Sequence, residues 1–434
     1  MDQEERRQRR QKDTKNATII FVAFLLIVLL LVAGTVFVVG KYVIGDEQGE
    51  PRETESGTQA TETAPVPVTE ISEAPVVPAV DPTIQQAAEI VTGMTLEDKI
   101  AQMFVITPDA LTGYNGVTAA GDTTKTAYQE RPVGGIIYMS DNLTDREQTA
   151  AMLDNMQAIA RERTGLPLFL CVDEEGGSVA RIASTPAFEI ENVGDMSAVG
   201  ESGDPGNAYN AGNTIGMYLA ELGFNVDFAP VADVLTNADN TAIGDRSFGS
   251  DAQTVASMVT AELDGLSAAG IYGTVKHFPG HGGTTGDSHD GAVTTERTLE
   301  ELMAEELVPF QSAVDAGVTF VMVGHISVPN VTGDNTPSSL SEMMITDVLR
   351  TQMGYDGIVI TDAMNMKAIT GHYNSDKAAV LAVTAGADVI LMPADYTSAY
   401  NGLLKAVQDG TITEERIDES VNRIVRAKLL MEQQ

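Results

Sequence analysis

The chain has 434 residues and a formal net charge of −36. An acidity of that size excludes a nucleic-acid binder, because phosphate backbones need basic partners, and it reads as a solvated surface that keeps the protein soluble. The single cysteine, Cys171, excludes an intrachain disulfide, and no cysteine follows the apolar N-terminal segment to carry a lipid.

Residues 1–16 form a basic tail containing Arg6, Arg7, Arg9, Arg10 and Lys12. Residues 17–40 carry no charge and are almost all apolar. A helix of that length spans roughly 36 Å, enough to cross a hydrocarbon core of about 30 Å. The apolar region of a signal peptide is shorter, about 7–15 residues. An uncleaved transmembrane helix is therefore expected. The positive-inside rule puts the tail in the cytoplasm and everything after Lys41 outside. Residues 41–82 read as a linker. From 46 to 82 there are six prolines and nine acidic residues against one basic residue, Arg52. Such a composition buries too little apolar surface to fold. The folded domain is read as residues 83–434, with 49 acidic and 18 basic residues.

Eight short apolar runs follow in that domain: Ile100–Ile106, Val133–Met139, Pro167–Asp173, Asn225–Val231, Tyr272–His277, Val318–His325, Gly357–Asp362 and Ala387–Pro393. Their lack of polar alternation predicts strands buried on both faces. Amphipathic stretches at Arg146–Arg163, Ala208–Leu222, Gln253–Ala269, Leu299–Ala316, Ser341–Met353, Ala378–Ala385 and Glu414–Leu430 predict the helices between and after them. Strands alternating with helices predict a parallel sheet, and eight such units predict an α/β fold of the (β/α)₈ TIM-barrel type, as one catalytic domain. A doubly wound open sheet is the competing architecture.

In a barrel, reactive groups gather at the C-terminal ends of the strands. Here the third run ends in Asp173-Glu174-Glu175, the fifth in Lys276-His277, the sixth in His325 and the seventh in Thr361-Asp362. Asp362, directly after a buried strand, could attack an electrophilic carbon or stabilise a cation; the alternative is a cap for the following helix. Lys276 and His277, with Asp173, Arg181 and Arg246 around the same mouth, suit a ligand rich in hydroxyls. For either arginine alone a structural salt bridge is the default.

The segment from Lys276 to His289 holds three of the five histidines and four glycines. It is a loop, since Gly and Pro both disfavour a helix. Asp287 and His289 lie two apart, and an Asp that accepts from one imidazole nitrogen raises the basicity of the other, which suits a general acid/base. A chance pairing on a surface loop is the alternative. His277, His281, Asp287 and His289 could also be zinc ligands, but Pro279 and Gly280 keep the His-x-x-x-His pair off one helical face. No metal and no cofactor are expected.

Six segments together resemble glycoside hydrolase family 3, in its β-N-acetylglucosaminidase (β-hexosaminidase) branch. They are Val172-Asp-Glu-Glu-Gly-Gly with Arg181, Asn225-Val-Asp-Phe-Ala-Pro-Val, Gly244-Asp-Arg-Ser-Phe, Lys276-His-Phe-Pro-Gly-His-Gly, Asp287-Ser-His and Ile360-Thr-Asp-Ala-Met. They span about residue 90 to the C-terminus in the family's order. The resemblance implies a catalytic barrel and a two-step retaining mechanism. Asp362 then matches the nucleophile, His289 the acid/base and Asp287 its dyad partner. Asp173, Arg181, Arg246, Lys276 and His277 match positions that bind the terminal N-acetylglucosamine. The family often has Gln where Glu174 stands, and other residues where Ala363 follows the nucleophile. The glycines at 280, 282, 283 and 286 are expected to let the loop swing His289 in and out, with His281 orienting it.

The expected function is an exo-acting β-N-acetylglucosaminidase, monomeric and membrane-anchored, working outside the cell on N-acetylglucosamine-containing glycans or muropeptides. The alternatives are a family 3 β-glucosidase, a phosphorylase that uses phosphate instead of water, and a catalytically silent barrel that binds glycans.

Overall fold

The computed structural model describes residues 81–288 and 291–433. Eight strands make the central sheet: Phe104–Ile106 (β1), Gly135–Ile137 (β2), Phe169–Val172 (β3), Val226–Asp227 (β4), Tyr272–Phe278 (β5), Phe320–Val323 (β6), Ile358–Thr361 (β7) and Ile390–Leu391 (β8). Their order is β7-β6-β5-β4-β3-β2-β1-β8, and every neighbouring pair is parallel. A parallel bridge between Ile360 and Val389 joins the two ends, and the Thr361 N–H donates to the Val389 carbonyl at 3.0 Å. The sheet therefore closes on itself as a TIM-type barrel, and the open-sheet alternative falls away.

Each strand lies within its expected apolar run except β5, which continues one residue further to Phe278. Most strands are shorter than their runs. Of Ile100–Ile106 only Phe104–Ile106 is strand; Ile100 to Gln102 end the helix Leu96–Gln102, whose N-terminus Thr95 caps. The amphipathic stretches 146–163, 208–222, 253–269, 378–385 and 414–430 form helices with ends shifted by a few residues. The stretch read as one helix over 299–316 is two, Leu299–Ala304 and Val308–Asp315. Pro309 explains the break: it has no N–H to donate, and its ring clashes with the carbonyl four residues back. Residues 343–352 are wound as a π-helix. The helix Tyr396–Gln408 was not read from the sequence, although its buried Tyr396, Ala399, Tyr400, Leu403 and Ala406 repeat at helical spacing.

The barrel interior is filled, not hollow. Phe169 at the start of β3 meets Phe320 at the start of β6 edge-on, with ring centroids 5.2 Å apart. These strands are not neighbours in the sheet, so the contact runs through the interior. Each ring buried this way contributes about 1.5–3 kcal/mol. Below them, Lys428 of the last helix, Glu414–Met431, lays its ammonium 5.1 Å over the Phe169 ring. That ammonium donates to the Gln102 side chain at 2.7 Å. Aromatic filling closes the N-terminal end and leaves the C-terminal end open for chemistry.

Asp81 and Pro82, read as the end of the linker, belong to the folded domain. Asp81 caps the helix Pro82–Thr92, accepting from the Thr83 N–H at 2.9 Å, and pairs with Arg426 at 2.8 Å. Among the described residues no helix is long and apolar enough to cross a membrane. The expected transmembrane helix at 17–40 lies outside the described residues, as do the basic tail and the linker up to residue 80.

Candidate active site

At the C-terminal end of the barrel lies a pocket of about 950 Å³. Asp173, Arg181, Arg246, Lys276, His277, Asp287 and Asp362 all line it. These residues come from three strand ends and three loops, so closure of the barrel is what brings them together. His289 lies outside the described residues.

Strand β3 ends at Val172, and Asp173 follows at the rim. The chain then turns into a short hairpin, Glu174–Gly176 against Val179–Ala180. Side chains alternate across a strand. Glu175 therefore joins Asp173 in the pocket while Glu174 points away. The Glu174 carboxylate accepts from the Ile182 and Ala183 N–H groups and the Tyr218 hydroxyl, each at 2.8 Å. That is a structural role: it holds the turn that carries Arg181.

Five charged side chains interlock in the pocket. The Lys276 ammonium donates to Asp173 at 2.9 Å and to Glu175 at 2.6 Å. The Arg246 guanidinium grips Glu175 with two bonds of 2.7 Å. Arg181 approaches Asp173 at 3.8 Å. Burial alone would strip the proton from Lys276, but the Asp173 and Glu175 carboxylates hold it on and raise its pKa. Burial likewise penalises the Glu175 charge, and the Lys276 and Arg246 charges overcome it, pulling that carboxyl down to about 2. Arg246 is thus both a salt-bridge partner and a pocket wall. Glu175 was not singled out from the sequence; strand alternation past Asp173 was the available signal.

A second network lies under His277. Asp233, with no exposed surface, accepts from the His277 ring Nδ1 at 2.7 Å and from the His277 N–H at 3.2 Å. Its Oδ1 also accepts from the His281 N–H at 2.6 Å. Asp233 follows β4 beyond the expected run Asn225–Val231, so the same strand-end rule extended by two residues would have found it.

Asp362 follows β7, and its N–H donates to the Val323 carbonyl at 2.9 Å. One carboxylate oxygen accepts from the Ala363 N–H at 2.7 Å. Burial pushes this carboxyl up, but the charges of His325 and His277, the Ala363 N–H and the Lys276 charge outweigh it and leave its pKa below the ordinary value. A carboxylate held ionised is what a nucleophile requires. Asp362 is not a helix cap, since the next helix is Lys367–Thr370, preceded by Met366. His325, at the end of β6, donates from its ring Nε2 to the Ala363 carbonyl at 3.1 Å, and its Nδ1 meets the Ser339 hydroxyl at 2.7 Å.

The loop after β5 is less free than its glycines suggest. A side chain at Gly282 would lie 2.0 Å from the Val234 carbonyl oxygen, and one at Gly283 would lie 2.7 Å from the Thr236 hydroxyl. These glycines permit close packing and do not act as hinges. The Asn237 side chain donates to the Thr284 carbonyl at 2.9 Å and Asn240 donates to the His281 carbonyl at 2.7 Å. His281 meets the hydroxyls of Thr284 (2.9 Å) and Ser288 (3.4 Å) through its two ring nitrogens. It does pin the loop. Gly286, with φ of +97° and open space where a side chain would be, is the position left for a hinge. Among the described residues no three His, Cys, Asp or Glu side chains form a metal-binding group.

A closed barrel with a charged pocket and a half-buried, ionised carboxylate, Asp362, at its rim is an arrangement suited to glycoside chemistry. The model of the "Glycosyl hydrolase family 3 N terminal domain" matches residues 95–427, and the chain belongs to that family. It is 34% identical over 366 residues to the Mycobacterium tuberculosis protein "Beta-hexosaminidase LpqI", covering 82% of this chain and 89% of the relative. It is 31% identical over 324 residues to "Beta-hexosaminidase A" of Pseudoalteromonas piscicida, covering 69% of this chain and 54% of that one. A solved family 3 β-N-acetylglucosaminidase from a Paenibacillus strain superposes with a TM-score of 0.72 at 38% identity, over 78% of this chain and 64% of that one. The chain thus spans between about half and nine-tenths of the length of these relatives.

Proposed function

We propose that this family 3 enzyme is an exo-acting, retaining β-N-acetylglucosaminidase. The relatives described above carry that activity or β-hexosaminidase in their names. The observation that carries the reading is the convergence, in one pocket, of Asp362 with the Lys276–Glu175–Arg246 cluster and the loop bearing Asp287. The chemistry takes two steps. A carboxylate oxygen of Asp362 forms a bond to the anomeric carbon while the glycosidic C–O bond breaks, and the leaving oxygen takes a proton from His289. Water then attacks the same carbon, gives its proton back to His289, and displaces Asp362 as the free carboxylate. Asp287 orients His289, and the Asp173, Arg181, Arg246, Lys276 and His277 side chains bind the hydroxyls of the terminal sugar.

The second part of the proposal concerns place. The apolar stretch at 17–40 anchors the chain by one transmembrane span, and the acidic linker holds the barrel outside. The β-linked N-acetylglucosamine outside such a membrane is that of peptidoglycan and its fragments, so muropeptides are the proposed substrate. The test is product analysis with N-acetylglucosamine–N-acetylmuramic acid disaccharides beside chitobiose and cellobiose. Release of free N-acetylglucosamine from the first, without need for phosphate, is expected. Release of glucose alone, or of a sugar phosphate, would replace the reading.

A further inference from the structure

We infer that Asp233 is a positioning residue of this site, one buried carboxylate that sets the proton position on the His277 ring and fixes the foot of the loop carrying Asp287. The inference rests on the sugar-binding reading of the pocket and adds a residue to it. Both oxygens of Asp233 are committed: Oδ2 to the His277 ring Nδ1 at 2.7 Å, and Oδ1 to the His277 and His281 N–H groups at 3.2 and 2.6 Å. Its carboxyl is kept ionised, because the His277 and His281 neighbours outweigh the effect of burial.

An ionised carboxylate only accepts hydrogen bonds. The His277 Nδ1 must then carry a proton, and whenever the ring holds a single proton its Nε2 is an acceptor toward the pocket that His277 lines. The groups facing His277 are Asp233, the His281 ring with its centroid 6.0 Å away, Lys276 on the same strand and Asp362. Of these, Asp233 is the one in contact with Nδ1. The same carboxylate reaches His281 just past the Pro279-Gly280 turn. From there Asn237, Asn240 and the packed Gly282 carry the clamp onward to Thr284. A change at Asp233 therefore disturbs sugar binding and loop placement together.

The test is Asp233→Asn. An amide keeps the shape and one acceptor oxygen. With that oxygen on the His281 N–H, its NH₂ faces His277 Nδ1 and forces the ring proton onto Nε2. The expected variant keeps its circular dichroism and loses about 10- to 100-fold in kcat/KM on an aryl β-N-acetylglucosaminide, taking as scale the loss when a carboxylate that orients a metal-bound histidine is removed. ¹⁵N spectra of the histidine rings should show His277 protonated on Nδ1 in the wild type and on Nε2 in the variant. A wild-type ring protonated on Nε2 alone overturns the inference, and so does a variant with the switched ring and wild-type turnover. If Asp233→Asn does not fold, the wild-type spectrum decides alone. Full activity of Asp362→Ala would sink the catalytic reading of the pocket without touching the ring assignment, so the two failures are distinguishable.

Discussion

Glu175 and Lys276 form a buried ion pair, carboxylate to ammonium at 2.6 Å, and both side chains are within a few per cent of full burial. Removing one member of such a pair costs about 3–5 kcal/mol, because the other charge stays behind without its partner. Glu175→Gln removes the ion pair of Lys276 with Glu175, leaving its bond to Asp173, and takes the charged partner of both guanidinium bonds from Arg246. The expected outcome is a lower denaturation midpoint and a drop in kcat/KM of about 100-fold or more, carried mainly by KM. Chemical denaturation beside steady-state kinetics reads both. Unchanged values would mean the pair does not organise the sugar site.

Asp362→Ala should abolish turnover of an aryl β-N-acetylglucosaminide. The sign of the pH effect also follows. The Asp362 pKa is lowered in the fold, so its ionised form persists as the pH falls past the ordinary carboxylate value of about 3.9. Activity should therefore not be lost through this group between pH 7 and 5. An acid limb assigned to Asp362 above pH 5 would contradict the electrostatics described here.

The loop histidine is tested by the leaving group. His289→Ala should slow a substrate with a poor leaving group far more than one with a nitrophenolate, because only the poor one needs a proton as the bond breaks. Equal losses on both would remove His289 from the acid role.

Glu262 lies on the helix Ala252–Ala268, buried, and neither carboxylate oxygen has a hydrogen-bond partner among the described residues. Burial, with the Glu175 charge adding to it, pushes its carboxyl up to about 8. Between the unfolded value of 4.5 and about 8 the folded state holds a proton that the unfolded state has lost. Stability through this group therefore falls as pH rises across that window. Glu262→Gln should match the wild type at pH 4 and exceed it at pH 8 by about 2–4 kcal/mol. Urea denaturation at the two pH values measures the difference. Parallel curves would show that Glu262 is ionised in the fold.

Lys428 behaves in the opposite sense. Burial lowers its pKa to about 7 from 10.5. From about pH 7 to 10.5 the unfolded state binds the extra proton, so stability rises with pH there, and the full cost of burying the charge applies below pH 7. Lys428→Met keeps the length and removes the charge, at the loss of one hydrogen bond to Gln102. At pH 6 it should be more stable by about 2–4 kcal/mol, a gain that shrinks toward pH 10. A destabilised variant at pH 6 would mean that the bond to Gln102 outweighs the charge.

The sequence by itself determined the α/β class and most of the site's mouth, while closure of the sheet into a barrel came from the bridge between Ile360 and Val389. Eight mostly apolar runs predicted strands covered on both faces, and the reactive groups sit where those runs stop, so Asp173, Lys276, His277 and Asp362 were legible from position. Periodicity is a local property, and so were the helices. What the tertiary structure decided is who faces whom. Glu175 became the hub between Lys276 and Arg246 through the turn after β3 and a contact across 71 residues of chain. Asp233 became the support of His277 across 44. The glycines at 282 and 283 changed meaning for the same reason. In the sequence they are flexibility; against the Val234 carbonyl and the Thr236 hydroxyl they are the space a side chain would have filled. Such roles depend on through-space distance, which no local pattern encodes.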